Sequence, residues 1–569
     1  MKLIVREFLS SMKERGELDV VLPDLLSEFR MHVYSRPGLG TRQDGVDVAA
    51  VGALDRGGNK KVHLLSIKGG DLDRRTWQGG SPQSLRWSLD QILDAYIPQS
   101  IPPEYRGLPI VIWICVGGEI KESVRRDVSG YCEKQKTKDI EFQEWDGDRL
   151  SDLFLRGLMS DKFLSDEHRS VFRKAVALVD EPATAARHFR RLITSLTHDH
   201  AEKPREKLRT LRLINLLLRI LIGWGRSARN YEAPYLGSEA ALLVAWQLAN
   251  SHLRKSSKTS RDIAFALNLL VQSYLVVSEE YIKGKIIPHV DKYHGLSMAV
   301  SSSKSLDVNL KLFETLGRLA LLALWVEQFL AQVPQDDTAR REELLVEIAE
   351  YRRCLKSLIE HNPVLVSPIA ESQTTAISLA LMVFSTDRSY HSFARHWVGQ
   401  LLACSRYQYM MHLQYPCIHT EYRLLARHPS RRDDDYRKSA TAGSVLYPTL
   451  ALWTACFGGT ELFDEIASFA SAQLAHCTLQ MWLPDESSEP NLYLGPDGHG
   501  AAVTGIPLQE GSVVFLDLVV KECRLSDGLF KLSAMQFGYW AIVLTACRHY
   551  QLPVPPHFVR DRFGLNQPS

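Results

Sequence analysis

The chain has no CxxC pair, no Walker or dinucleotide glycine loop, and almost no net charge. Its nine cysteines are scattered at 115, 132, 354, 404, 417, 456, 477, 523 and 547. An odd number without paired spacing speaks for reduced thiols in a cytoplasmic protein, and against a zinc ribbon or a disulfide frame. Arg6 and Glu7 interrupt the apolar stretch near the start, so no signal-peptide core is expected there. A net charge of +2 over 569 residues gives no global field for nucleic acid, so such a surface has to be local. Ser439 to Thr460 is uncharged and of membrane-span length, but Pro448 and Gly458-Gly459 interrupt it. A buried helix is expected there, and no membrane partner.

What is present is the composition of an ordinary globular protein, 45% hydrophobic and 24% charged. This length implies about two to four domains. Two β-type runs, VDVAAVG (46–52) and KVHLLSIK (61–68), flank the turn-rich LDRGGNK. Alternation places Val62, Leu64, Ser66 and Lys68 on one face of the second run. Asp47 then stands on a strand beside Lys68. A carboxylate that binds a hard cation and a lysine that orients water or neutralises a phosphate make a metal-dependent hydrolytic site. Upstream, a helix from about Pro23 carries Asp24 and Glu28 on one face. Downstream, the apolar run 109–116, a helical pattern over 120–131 and the strand pattern 140–145 suit a parallel βαβ unit.

Gln43-Asp44-Gly45-Val46-Asp47 and Ser66-Ile67-Lys68-Gly69-Gly70 resemble the paired motifs of the PD-(D/E)XK, or restriction-endonuclease-like, superfamily in its Mrr-like branch. The resemblance covers residues 1–165 and departs at Ser66, where the family carries an acid. It implies an α/β fold, a central mixed sheet flanked by helices, and an endonuclease using Mg2+ (or Mn2+) on DNA. Asp47 would be the main metal ligand, Glu28 a supplementary one in place of the missing acid, and the Ile67 carbonyl and Ser66 would complete the shell. Lys68 would orient the water. Gln43 and, on the helix after the lysine, Gln91 are expected near the nucleic acid.

Arg74, Arg75 and Trp77, with Arg86 and Trp87, form two basic–aromatic clusters beside that site, suited to gripping phosphate and stacking a base. Both tryptophans are also readable as core or partly buried, the commoner fate of Trp. Between residues 187 and 229, which include Arg190 and Arg191, eleven Lys/Arg face three acids, a net of +8. Such a strip favours a nucleic-acid backbone, or is an ordinary solvated face.

Beyond a boundary at 166–186 the pattern is helical. Residues 187–438 read as a helical array, either a solenoid or a tall bundle, with basic first helices; TPR and ankyrin signatures are missing. Residues 439–569 read as a second helical domain with a Gly/Pro-rich loop, in which Glu489, Asp497 and His499 are either ligand-lining or plain surface. The expected function is a nuclease effector of a prokaryotic anti-phage or restriction system, its helical region docking a protein partner or a second copy. The alternative is a catalytically inactive restriction-like fold serving as a nucleic-acid-binding or protein-assembly scaffold.

Overall fold

A computed structural model describes residues 2–36, 44–54, 58–78, 84–157, 159, 164–200, 203–300, 302, 304–495 and 498–565. The chain groups into two compact units, one of residues 1–241 and 251–273, the other of 242–250 and 274–569.

The first unit begins with helices α1 (Lys2–Ser11) and α2 (Asp19–Glu28), joined by the helical turn Glu14–Leu18. Strands β1 (His32–Ser35), β2 (Val48–Gly52), β3 (Lys61–Lys68), β4 (Ile110–Val116) and β5 (Ile140–Trp145) form one mixed sheet in sequence order. The β1–β2 and β2–β3 pairs are antiparallel, and β3–β4 and β4–β5 are parallel. The apolar run IVIWICV is buried at every position, as a strand covered on both faces must be. On one face Ala49, Val51, Val62, Leu64, Ile112 and Ile114 pack with α3 (Arg74–Gln78), α4 (Leu85–Gln91) and the helix Glu122–Gln135. On the other, Trp113 lies tilted against Trp145 with ring centroids 4.1 Å apart and donates its indole N–H to His63 Nδ1 at 3.0 Å. The region expected as a linker holds the helices Asp166–Ala177 and Pro182–His200, and the helix Pro204–Ser227 follows.

The second unit is all-α apart from two two-stranded ladders. Its central helix, Ser305–Gln332, packs against Thr338–His361, Thr374–Ser385 and Trp540–Tyr550. Polar side chains fasten this core at specific points. Trp325 donates its N–H to Thr545 Oγ1 at 3.1 Å, and Gln328 Oε1 accepts from the Ala541 N–H at 2.8 Å. Ser439 to Thr460 is divided into a helix end, a two-residue strand and the buried helix Leu446–Cys456. One helical stretch, Lys258–His289, has the length and mean hydropathy of a span; 56% of its apolar window is buried inside the protein, as in a core helix.

Candidate metal centre

Strand β3 outruns β2, so the Ile67 N–H has no β2 carbonyl opposite it. Asp47, just before β2, fills that gap: its Oδ2 accepts from the Ile67 N–H at 2.7 Å, and its own N–H reaches the Leu65 carbonyl at 2.9 Å. Burial raises the Asp47 carboxyl to about 6; the Ile67 N–H and Lys68 pull it down, while Glu14 and Asp19 push it up. Lys68 is 6% exposed, and its Nζ lies 3.0 Å from Glu14 Oε1. The acid the fold brings to Lys68 is therefore Glu14, from the turn between the first two helices. Ser66 is fully buried, with a hydroxyl that has no hydrogen-bond partner among the described residues.

Glu28 is corrected by the structure. It is 9% exposed and held by Arg209 at 3.0 Å and Arg212 at 3.6 Å, so it is committed as a structural counter-ion. Asp24 beside it meets Arg212 at 3.2 Å, and Glu17 meets Arg226 at 2.8 Å. Burial raises both Asp24 and Glu28, against the downward pull of these arginines. Arg212, Arg219 and Arg226 recur every seven residues and so share one helix stripe. Part of the basic strip is thus turned inward on the acidic stretch Glu17–Glu28.

Trp77 is 2% exposed and packs edge-on against Tyr131 at 5.6 Å, which makes it core and removes it as a stacking platform. Arg74 and Arg75 are exposed, the former reaching the Ser123 carbonyl at 3.4 Å. Arg86 is exposed over the Tyr131 ring, Trp87 is 49% exposed, and Gln91 is half-buried. Arg190 is half-buried and Arg191 lies 3.6 Å from Glu167. Gln43 and Asp497 lie outside the described residues. Glu489 is a bracket, accepting from the Ser533 N–H at 2.9 Å and from Asn250 Nδ2 at 3.1 Å.

Among the described residues, a group of three side chains able to hold a metal ion lies elsewhere, in the second unit. Ligand atoms of Cys417, His419 and His428 lie within 4.8 Å of one another. Cys417 enters through backbone pairing: its N–H donates to the Ile369 carbonyl at 3.2 Å and its carbonyl accepts from the Glu371 N–H at 3.0 Å. His428 Nε2 is 2.9 Å from the Tyr415 carbonyl, which can only accept, so that nitrogen carries the proton. Its Nδ1 lone pair faces the Tyr436 hydroxyl at 3.0 Å, and the same hydroxyl is 3.3 Å from His419 Nε2. A ring nitrogen fixed by a backbone carbonyl is the usual support for a metal-bound imidazole. Burial lowers His428 to about 4 and raises the Cys417 thiol to about 12. The imidazole is neutral and ready to ligate, whereas the thiol needs the ion itself to release its proton.

Sequence reasoning missed this group because it looked for paired cysteines. The usable signal was Cys417-Ile418-His419 followed by His428.

The donor set overturns the expected Mg2+ (or Mn2+) cofactor and the Mg-dependent endonuclease built on it. One thiol and two imidazoles are soft or borderline donors that suit zinc, whereas magnesium demands oxygen. The nuclease, hydrolase and restriction-type descriptions find no support in likeness to other proteins either: no known protein family, curated protein or solved structure matches this chain.

Proposed function

We propose that this chain is a metal-binding scaffold whose helical unit takes up one zinc-type divalent ion on Cys417, His419 and His428. The observation that carries this reading is the convergence of one thiol and two imidazoles within 4.8 Å. The N-terminal unit is read as a restriction-like frame retained for its fold. Two features support that kinship: the five-stranded mixed sheet, and Asp47 within electrostatic reach of Lys68. A protein partner for the helical unit fits the exposure of Tyr407, Met410, Met411, Ile418, Tyr422 and Leu424 near the metal ligands in sequence.

Elemental analysis of the full chain tests the reading. One equivalent of zinc is expected after dialysis against trace metal, and it should be lost in Cys417→Ser and His428→Gln. Wild-type protein that retains no zinc overturns it. Sedimentation with and without zinc reads the partner arm as a change in self-association.

A further inference from the structure

We propose that Tyr436 is the fourth ligand of this site, its phenolic oxygen closing a four-coordinate Cys–His–His–Tyr centre around the ion. This rests on the metal-binding reading above.

Bonds of about 2.0–2.1 Å from zinc to nitrogen or oxygen make a tetrahedron whose edges are roughly 3.3–3.4 Å. The Tyr436 Oη lies 3.0 Å from His428 Nδ1 and 3.3 Å from His419 Nε2. The hydroxyl therefore already stands near the corner that a fourth donor must occupy. It is held there from both sides. Its helix, Asp434–Ala440, is capped by Asp433, whose Oδ1 accepts from the Tyr436 N–H at 2.8 Å. The His428 ring is clamped edge-on by Tyr415 at 4.5 Å and packs against Tyr436 at 5.9 Å.

Charge points the same way. A divalent ion held among partly buried groups needs compensation, and an imidazole ligates through a neutral nitrogen. The Cys417 thiolate supplies one negative charge and a Tyr436 phenolate the second, leaving the centre neutral. The buried Glu371 carboxylate also bears on Cys417, but its Oε2 accepts from the Val445 and Leu446 N–H groups at 2.9 Å each, at the start of the helix Leu446–Cys456. Of the neighbouring acids, Asp433 is used as a cap and Asp434 pairs with Arg437 at 2.6 Å. As the ion enters, one proton leaves Cys417 and one leaves Tyr436, both to bulk water, and no electron moves.

A ligand on each of the segments 417–419, 428 and 436 makes the ion a clasp. It ties the helix Asp434–Ala440 to the backbone pairing of Cys417 and closes the loop that presents Ile418, Tyr422 and Leu424.

The test strips the full chain with a chelator and reloads it with Co2+ as a spectroscopic probe. Wild type is expected to show a thiolate-to-cobalt charge-transfer band together with intense tetrahedral d–d bands. Tyr436→Phe should keep the charge-transfer band, lose d–d intensity as water enters, and hold Zn2+ on the order of 10–100-fold more weakly in chelator competition. Zn2+ added to stripped wild type should also produce a tyrosinate difference band, a readout that needs no variant. Absence of that band, or a Tyr436→Phe protein with wild-type spectra and affinity, overturns the fourth ligand while leaving a three-residue site standing. Wild-type protein that takes up no Co2+ overturns the metal-binding reading itself, and this proposal with it.

Discussion

Arg212 Nε sits 3.2 Å from Asp24 Oδ1, and both side chains are only 7% exposed. The pair belongs to a seam in which Glu17, Asp24 and Glu28 meet Arg226, Arg212 and Arg209, the two stretches running in opposite directions. Removing one partner of such a pair strands a buried charge, which costs about 3–5 kcal/mol. Arg212→Ala, which strands Asp24 and also takes a cation from Glu28, is expected to lower the stability of the first unit by that order in urea unfolding. Arg212→Met combined with Asp24→Leu should recover much of the loss, because packed apolar groups replace a desolvated pair with little penalty.

The Asp47 carboxyl gives a pH signature. Its folded value of about 6 exceeds the ordinary 3.8, with burial as the main cause. The folded chain therefore binds this proton more tightly than the unfolded chain, and stability from this group falls as pH rises. The contribution is complete below 3.8, declines up to about 6 and is flat above that. Asp47→Asn keeps an oxygen for the Ile67 N–H and removes the charge. It is expected to abolish this slope and to be at least as stable as wild type at neutral pH, read by thermal unfolding across a pH series.

Lys68 is the cation between two carboxylates, 3.0 Å from Glu14 and within electrostatic reach of Asp47. Glu14 is 30% exposed, so solvent screens part of the attraction. A double-mutant cycle of Lys68→Met and Glu14→Gln should give a coupling of roughly 0.5–3 kcal/mol. Lys68→Met alone should be the costlier single change, because it leaves Asp47 and Glu14 facing each other without their cation. Equal single-variant losses with no coupling would show that the pair does not act as a unit.

The β2–β3 hairpin was legible because a period of two assigns faces without tertiary knowledge, and Lys68 lies within electrostatic reach of Asp47. Glu14 was not legible. It reaches Lys68 through the docking of a helical turn, which no local spacing encodes. Helical spacing correctly put Asp24 and Glu28 on one face, but the arginines opposite them lie more than 180 residues along the chain. For the same reason, counting charges over 187–229 found the basic strip and could not tell which of its members face inward. Trp77 illustrates a side-chain direction that composition leaves open. The candidate metal ligands were hidden because His428 joins Cys417 and His419 across a loop, so the group exists in space before it exists as a motif.

Metal identity is decided by softness and geometry in the second unit. If zinc binds the native site and not the unfolded chain, a free concentration near 100 times its dissociation constant adds about 2.7 kcal/mol to stability. Chelation should therefore lower the unfolding temperature of the full chain, and zinc should restore it. Magnesium at the same free concentration should leave the transition unmoved, because a thiol and two imidazoles, even with one phenolic oxygen beside them, fall far short of the six oxygens it requires. Cys417→Ser should behave like the chelated wild type and respond to neither ion. Restoration by magnesium in the wild type would return the chemistry to oxygen ligands and refute the assignment of this cluster as the metal centre.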